Sequence, residues 1–424
     1  MLDIKRIREN PEEIKTGIGK KGEAVDVDKI LDIDKKLREM ENETDQLKHK
    51  RNVVSKDIST KKKNREDASA EISEMQAVSK TIKDNDSEIN NYRKSLKNLL
   101  LNVPNVPHKS TPIGKSEKEN IVIREVGEKI TVDFPIEDHV VLAEKHSLID
   151  FQRGAKIAGS GFPLYTGKGA KLERAIINYM LDLHTSKHGY KEIMPPFMAN
   201  KKSTTTTGQL PKFAEDMYFV NEDELYLVPT AEVPVTNIHQ EEILDVKQLP
   251  IKYTAYSACF RREAGSYGKD TRGLQRLHQF NKVELVQFVH PDKSYEVIEE
   301  IVNNAETILK NLKLPYRVIE LCTGDLSFAS TKCYDIELWS PATEKWLEVS
   351  SCSNFEDFQA RRGNIKFREN NKIKYVHTLN GSGVATPRLM IAILENYQKE
   401  DGSIEIPEVL VPYFGKKEIK IKND

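Results

Sequence analysis

From residue 28 to residue 100 the chain carries neither glycine nor proline, and it has a seam that advances in alternating steps of three and four. The first run is Ile30, Ile33, Leu37, Met40, Thr44, Leu47, Arg51, Val54 and Ile58. The second is Ile72, Met75, Ser79, Ile82, Asp86, Ile89, Arg93, Leu96 and Leu100. A repeat averaging 3.5 residues keeps its members on one face of a helix, which is a coiled-coil pattern. The charged stretch Lys61 to Asp67 separates two seams of similar length, which predicts an antiparallel helical hairpin. At a rise of about 1.5 Å per residue each helix would project roughly 50 Å. The polar seam positions Thr44, Arg51, Ser79 and Asp86 weaken the seam and suit a hairpin held at its base better than a strong zipper.

Charge on this hairpin is lopsided. Lys48, Lys50, Arg51, Lys56, Lys61, Lys62, Lys63 and Arg65 stand against the single acid Asp57 between positions 48 and 65. The chain as a whole balances 65 basic against 66 acidic residues, which argues against blanket nucleic-acid binding. The basic run therefore fits either a solvated coiled-coil face, serving dimerisation or scaffolding, or a finger that tracks a phosphate backbone.

Pro104, Pro107 and Pro112 end the helical pattern. With 424 residues, two domains are expected: 1–110 with the hairpin, and a globular 111–424. The four cysteines form no CxxC pair, so neither a zinc ribbon nor a disulfide framework is indicated. The first residues are charged throughout and lack a signal-peptide core, and no stretch is long enough to span a membrane, so a cytoplasmic protein is expected.

In the second domain the apolar spacing predicts helices over 170–187, 294–312 and 386–398, and strands over 225–234, 316–321, 333–339, 346–350 and 374–379. Ser203 to Leu210 reads as a polar loop, and Asn380 to Gly383 as a glycine-rich break. Pro195 and Pro196 close an extended piece and suit an edge lying against another surface, such as a second copy of the chain.

The densest chemistry lies between Cys259 and Glu284. Alternating segments over 256–263 and 275–289 flank a loop with Gly265, Gly268 and Gly273, a hairpin signal. Alternation along a strand puts Arg261 and Glu263 on one face and Arg262 on the other. An arginine fork suits a phosphate, and a carboxylate beside it can accept from an amine. A surface ribbon laced with ion pairs would look the same in isolation. Thr230 and Glu232 at a strand end offer a hydroxyl and a carboxylate for an ammonium group, or a simple turn with a helix cap. Glu348 and Ser351 are hard oxygen donors of the kind Mg²⁺ accepts, although a glutamate at a strand end is commonly structural. Arg388 lies in the first turn of a helix, where it opposes the helix dipole but is placed, with the free amides, to hold an anion.

These pieces in this order resemble the seryl-tRNA synthetases of class II. The similarity rests on GFPLYTGKGAKLERA with YKEIMPPF, PTAEVPVTN, CFRREAGS with DTRGLQRLHQFNKVELV, CTGDL, EVSSCSNFEDFQARR and TLNGSGVATPRLM, and it spans essentially the whole chain. It implies an α+β fold: a six- to seven-stranded, largely antiparallel class II sheet with flanking helices, plus the coiled-coil arm. The resemblance implies ATP and Mg²⁺ as cofactors, L-serine and tRNA(Ser) as substrates, and a homodimer whose interface includes the segment ending at Pro196. The selenocysteine tRNA is left open as a further substrate.

By the same resemblance Arg261, Arg388 and Glu348 are catalytic. The ATP-binding set is Arg261, Arg262, Glu263, Phe280, Glu348, Val349, Ser350, Ser351 and Arg388, with Mg²⁺ held by Glu348 and Ser351. The serine-binding set is Thr230, Ala231, Glu232, Arg261, Glu284 and Ser382. The basic finger, from Lys48 to Arg65, becomes the tRNA contact, and the loop from Gly265 to Arg272 a contact for ATP or the tRNA acceptor end. No cysteine falls in the TAE or KVE motifs, so the zinc-containing variant of the family is not expected. A synthetase-like ligase that loads a carrier protein, or a coiled-coil scaffold on an inactive fold, is disfavoured because the arm and the phosphate-binding residues are both present.

Overall fold

The computed structural model describes residues 1–263 and 272–421. The chain divides into two compact units, Met1–Gly19 with Glu23–Pro104, and Lys20–Gly22 with Asn105–Asp424. The division falls ahead of the boundary expected at residue 110. The amide of Asn105 donates to the carbonyls of Ala329 and Phe355, each at 2.9 Å, which fixes the proline-rich segment into the second unit.

The first unit is dominated by α1 (Val27–Lys63) and α2 (Ser69–Leu101). The Asp26 carboxylate caps α1 by accepting from the Lys29 amide at 2.9 Å. Ile30, Leu37 and Thr44 are buried from one helix, and Met75, Ile82, Ile89, Leu96 and Leu100 from the other, so the observed seam follows the sequence pattern. Two of its polar positions, Thr44 and Asp86, have partners across the hairpin. Asn85 donates to the Thr44 hydroxyl at 3.1 Å and Lys48 to Asp86 at 2.9 Å.

The second unit is built on an eight-stranded sheet. Its strands are β1 (Ile121–Val126), β2 (Lys191–Glu192), β3 (Ile251–Phe260), β4 (Gln279–Val289), β5 (Tyr316–Glu320), β6 (Lys332–Ser340), β7 (Lys345–Asn354) and β8 (His377–Ala385), in the spatial order β1-β5-β6-β7-β8-β4-β3-β2. All neighbours run antiparallel except β2 and β3. The sheet is wider than the six or seven strands implied by resemblance because the two-residue β2 adds to one edge. Helices α3 (His139–Lys145), α4 (Gly167–Ser186), α6 (Ser294–Asn311) and α7 (Thr386–Asn396) cover it and share one core with Leu285, Ile336, Val349 and Leu379; the short α5 (Glu232–Thr236) lies beside a smaller apolar cluster.

Two local expectations are corrected. The threonine run is a helix, Lys201–Thr207, not a loop: Asn200 caps it at 2.9 Å and the four threonine hydroxyls donate back to carbonyls one turn earlier. The glycine-rich break does not exist either, since β8 runs straight through Asn380 to Gly383. A Cβ on Gly381 would stand 2.3 Å from Ile301, and one on Gly383 2.6 Å from His184, so these glycines mark close packing of helices against the strand.

Candidate active site

One cleft of about 670 Å³ opens along the ends of β3, β4, β7 and β8 and the start of α7. Arg261 and Glu263 line it together, but not for the reason the alternation gave. β3 ends at Phe260; the Arg261 amide still pairs with the His278 carbonyl at 2.9 Å, whereas the Arg262 amide turns to Asp216 at 3.0 Å and Glu263 takes φ +50°. The return strand likewise begins at Gln279 rather than 275. The Arg261 guanidinium lies 5.2 Å from the Phe280 ring centroid, and Arg276 pairs with Glu263 at 3.2 Å. The Arg262 side chain lies over Tyr218 and is not among the residues lining the cleft.

A bulge at Val349 in β7 sets which side chains reach the cleft. Glu348, Val349 and Ser351 line it, while Ser350 is buried, its hydroxyl donating to the Ser382 carbonyl at 2.5 Å. Arg388 donates to the Glu348 carbonyl at 2.7 Å and to the Gln275 carbonyl at 3.3 Å, with the Glu348 carboxylate 3.6 Å away. Ser351 stands opposite Asp335 on β6, whose carboxyl is pushed well above its ordinary range by burial and by the charge of Glu348.

At the other end lie Thr230, Glu232, Glu284 and Ser382. β4 carries Glu284, whose two oxygens accept from Thr230 at 2.8 Å and Asn380 at 3.0 Å, and whose charge is met by buried Lys282 at 2.5 Å. Glu232 opens the short helix α5 instead of ending a strand, because β-pairing stops at Leu227. Its buried carboxyl is raised to about 7, first by desolvation and then by the neighbouring Glu284, against the amide of Gln359 donating at 2.6 Å. Ala231 is fully buried beneath, packed with Val235 and Ala255.

The sequence reading gave no site role to Gln359, Asn380, Arg276 or Lys282. Asn380 and Ser382 share one face of β8 at a spacing of two, a signal hidden by the glycines between and beside them. Gln359 sits on a short helix and meets the cleft residue Glu232 only through tertiary packing.

On α1 and α2, Lys48, Lys50 and Lys61 pair with Asp86, Glu74 and Glu71 of the opposite helix. Lys56, Lys62, Lys63 and Arg65 are exposed and make no ion pair among the described residues; Arg51 is half-buried on the seam. Of the loop expected to touch ATP or an acceptor end, positions 265–271 lie outside the described residues, and Arg272 pairs with Asp138 at 2.9 Å.

Comparison with known proteins follows the same division. Residues 217–397 match the model of the tRNA synthetase class II core domain (G, H, P, S and T), and residues 1–107 that of the seryl-tRNA synthetase N-terminal domain. A serine--tRNA ligase of Chlorobaculum parvum is 55% identical over 422 residues, covering 98% of this chain and 99% of that one. The serine--tRNA ligase of Chloroherpeton thalassium is 53% identical over 422 residues, covering 98% and 99%. Among solved structures, the seryl-tRNA synthetase of Pyrococcus horikoshii complexed with ATP superimposes with a TM-score of 0.93 at 39% identity, each chain covered completely. The cytoplasmic serine-tRNA ligase of Naegleria fowleri in complex with AMP gives 0.89 at 32% identity, covering 100% of this chain and 99% of that one.

Proposed function

The chain belongs to the seryl-tRNA synthetase family, class II aminoacyl-tRNA synthetases that charge serine tRNA at the expense of ATP, and from that premise we propose how its own residues divide the work. The observation that carries the division is the layout of the cleft: Glu232 with the Thr230 hydroxyl, next to the buried Glu284–Lys282 pair, at one end, and Arg261 and Arg388 with the Phe280 ring, beside Glu263 and Glu348, at the other. Glu232 takes the serine ammonium, and Glu284, with Thr230, takes the serine hydroxyl. Ser382 and the Arg261 guanidinium steady the serine carboxylate. At the nucleotide end Phe280 stacks on adenine, Glu263 accepts from its amine, Arg261 meets the α-phosphate and Arg388 the distal phosphates.

Serine carboxylate then attacks the α-phosphorus in line. A phosphorus–oxygen bond forms to the carboxylate, the bond to the bridging oxygen breaks, and pyrophosphate leaves with the electron pair. In the second step a ribose hydroxyl of the tRNA terminal adenosine attacks the activated carbonyl and AMP departs. No side chain becomes covalently attached, so catalysis rests on positioning and charge stabilisation.

Glu348 and Ser351 fit Mg²⁺ in donor chemistry, both offering hard oxygens to one part of the cleft. Bound there, the ion would neutralise phosphate charge; among the described residues no group of three His, Cys, Asp or Glu side chains is placed to hold a metal on its own. Pro195 and Pro196 follow β2 at the sheet edge, and Met194 beside them is 85% exposed, which supports a homodimer formed through this segment. Among the described residues no helix is long and apolar enough to cross a membrane; a cytoplasmic location is part of the same reading.

Serine-dependent pyrophosphate exchange across an amino-acid panel tests the assignment. Alanine and glycine lack the hydroxyl that Glu284 and Thr230 are read as binding and should be rejected by about 10⁴-fold, whereas threonine adds one methyl, which a pocket resists by only about 1–3 kcal/mol. Threonine is therefore the expected main competitor; alanine activated faster than threonine would remove Glu284 from the hydroxyl. The acid–base state of Glu232 gives a second check. With its carboxyl near 7, the neutral form prevails at lower pH and offers no anion to an ammonium. kcat/KM for serine should rise as pH passes upward through about 7, and Glu232→Gln should abolish that limb. An unchanged profile in the variant would place the titrating group elsewhere.

A further inference from the structure

We propose that His139 is a positioning residue for the nucleotide end of the cleft, holding the backbone at Gly273 and Leu274 from outside the site. The imidazole Nε2 accepts from the Leu274 amide at 3.2 Å, while Nδ1 faces the Glu395 carboxylate at 3.1 Å. An Nε2 that accepts an N–H is unprotonated, so the proton sits on Nδ1 and is donated to Glu395. Glu395 is itself fixed, accepting from the His139 amide at 3.1 Å and from Ser340 at 2.6 Å. All of this is buried.

The backbone rests directly on the ring. Gly273 has φ +63°, and a Cβ there would stand 2.2 Å from His139 Nε2 and 2.6 Å from Val140 Cγ2. No side chain fits, so glycine is required by the contact as well as by the turn. The next four residues, Leu274 to Leu277, line the cleft: the Gln275 carbonyl receives Arg388 at 3.3 Å, and Arg276 pairs with Glu263 at 3.2 Å. Glu395 lies on α7, the helix that presents Arg388 in its first turn. One imidazole thus sets the distance between the returning backbone and the helix whose arginine that backbone must meet.

The inference rests on the reading of Glu263 and Arg388 as the ATP end, and the experiment separates the two. Pyrophosphate exchange is measured for His139→Ala, His139→Gln, Gly273→Ala, the double variant H139A/G273A, and Glu263→Ala as reference. His139→Ala should raise KM for ATP about tenfold, the size of one lost buried hydrogen bond, with KM for serine unchanged within about twofold. His139→Gln, whose amide offers one acceptor and one donor, should return KM for ATP to within about threefold. Gly273→Ala should raise it by the same order, and the double variant should be no worse than the poorer single, because both remove one contact. Additive losses, or equal rises in KM for both substrates, would reduce His139 to general packing. If H139A does not accumulate folded, G273A and H139Q carry the test, and an unchanged KM for ATP in G273A overturns the proposal. If Glu263→Ala leaves KM for ATP unchanged while H139A raises it, the assignment of Glu263 fails and the positioning role stands.

Discussion

Alanine at Arg261 is expected to lower serine-dependent pyrophosphate exchange about a thousandfold, whereas alanine at Arg262 should cost less than about threefold. The first side chain enters the cleft beside Phe280 and Pro229; the second lies over Tyr218 outside it. A guanidinium aimed at the phosphate where charge develops supplies stabilisation that water cannot replace in a shaped site, and removing one such donor commonly costs two to three orders of magnitude, roughly 10²–10³. The loss should fall on kcat, because the interaction strengthens in the transition state. The reverse order of severity would mean that Arg262 faces the substrate, and that the departure from the strand at Phe260 has been misread.

The second large effect concerns the arm. Excising residues 45–84 and closing Thr44 to Asn85 with a short turn should abolish tRNA charging while leaving pyrophosphate exchange within about twofold. The cut is placed where Asn85 and Thr44 are already joined at 3.1 Å, so the stub keeps its own pairing and the buried seam below it. It removes all eight basic residues expected to meet the tRNA backbone. Each neutralised phosphate releases condensed counterions, so charging by the intact chain should fall steeply with salt and exchange should not. Charging that survives the excision, or that shows no salt dependence, would return these cations to the role of a solvated surface. Lys56, Lys62, Lys63 and Arg65 should matter more singly than Lys48, Lys50 and Lys61, which already pair across the hairpin.

What could be read from the sequence divides along physical lines. The arm was legible because a 3.5-residue repeat carries its own geometry and needs no distant partner. α4, α6 and α7 were legible for the same reason. The strands under the cleft were found, but their ends were not: the alternation continues through Arg261 to Glu263 while the backbone leaves the ladder at Phe260. Local propensity misled at Thr204 to Thr207, where β-branched residues form a helix because an asparagine caps it and neighbouring packing buries it. It misled again at Asn380 to Gly383, where glycine signalled contact rather than a turn. Gln359 and His139 were invisible, since each acts on a residue more than a hundred positions away.

The seam of the arm has one more consequence. Because its face repeats every seven residues, a loss or gain of one heptad from each helix leaves the surviving contacts in register and moves the basic tip by about 10 Å along the axis. Change by any other length rotates the charges away from their face. The arm therefore acts as a graduated ruler whose paired, quantised steps keep its contacts in register.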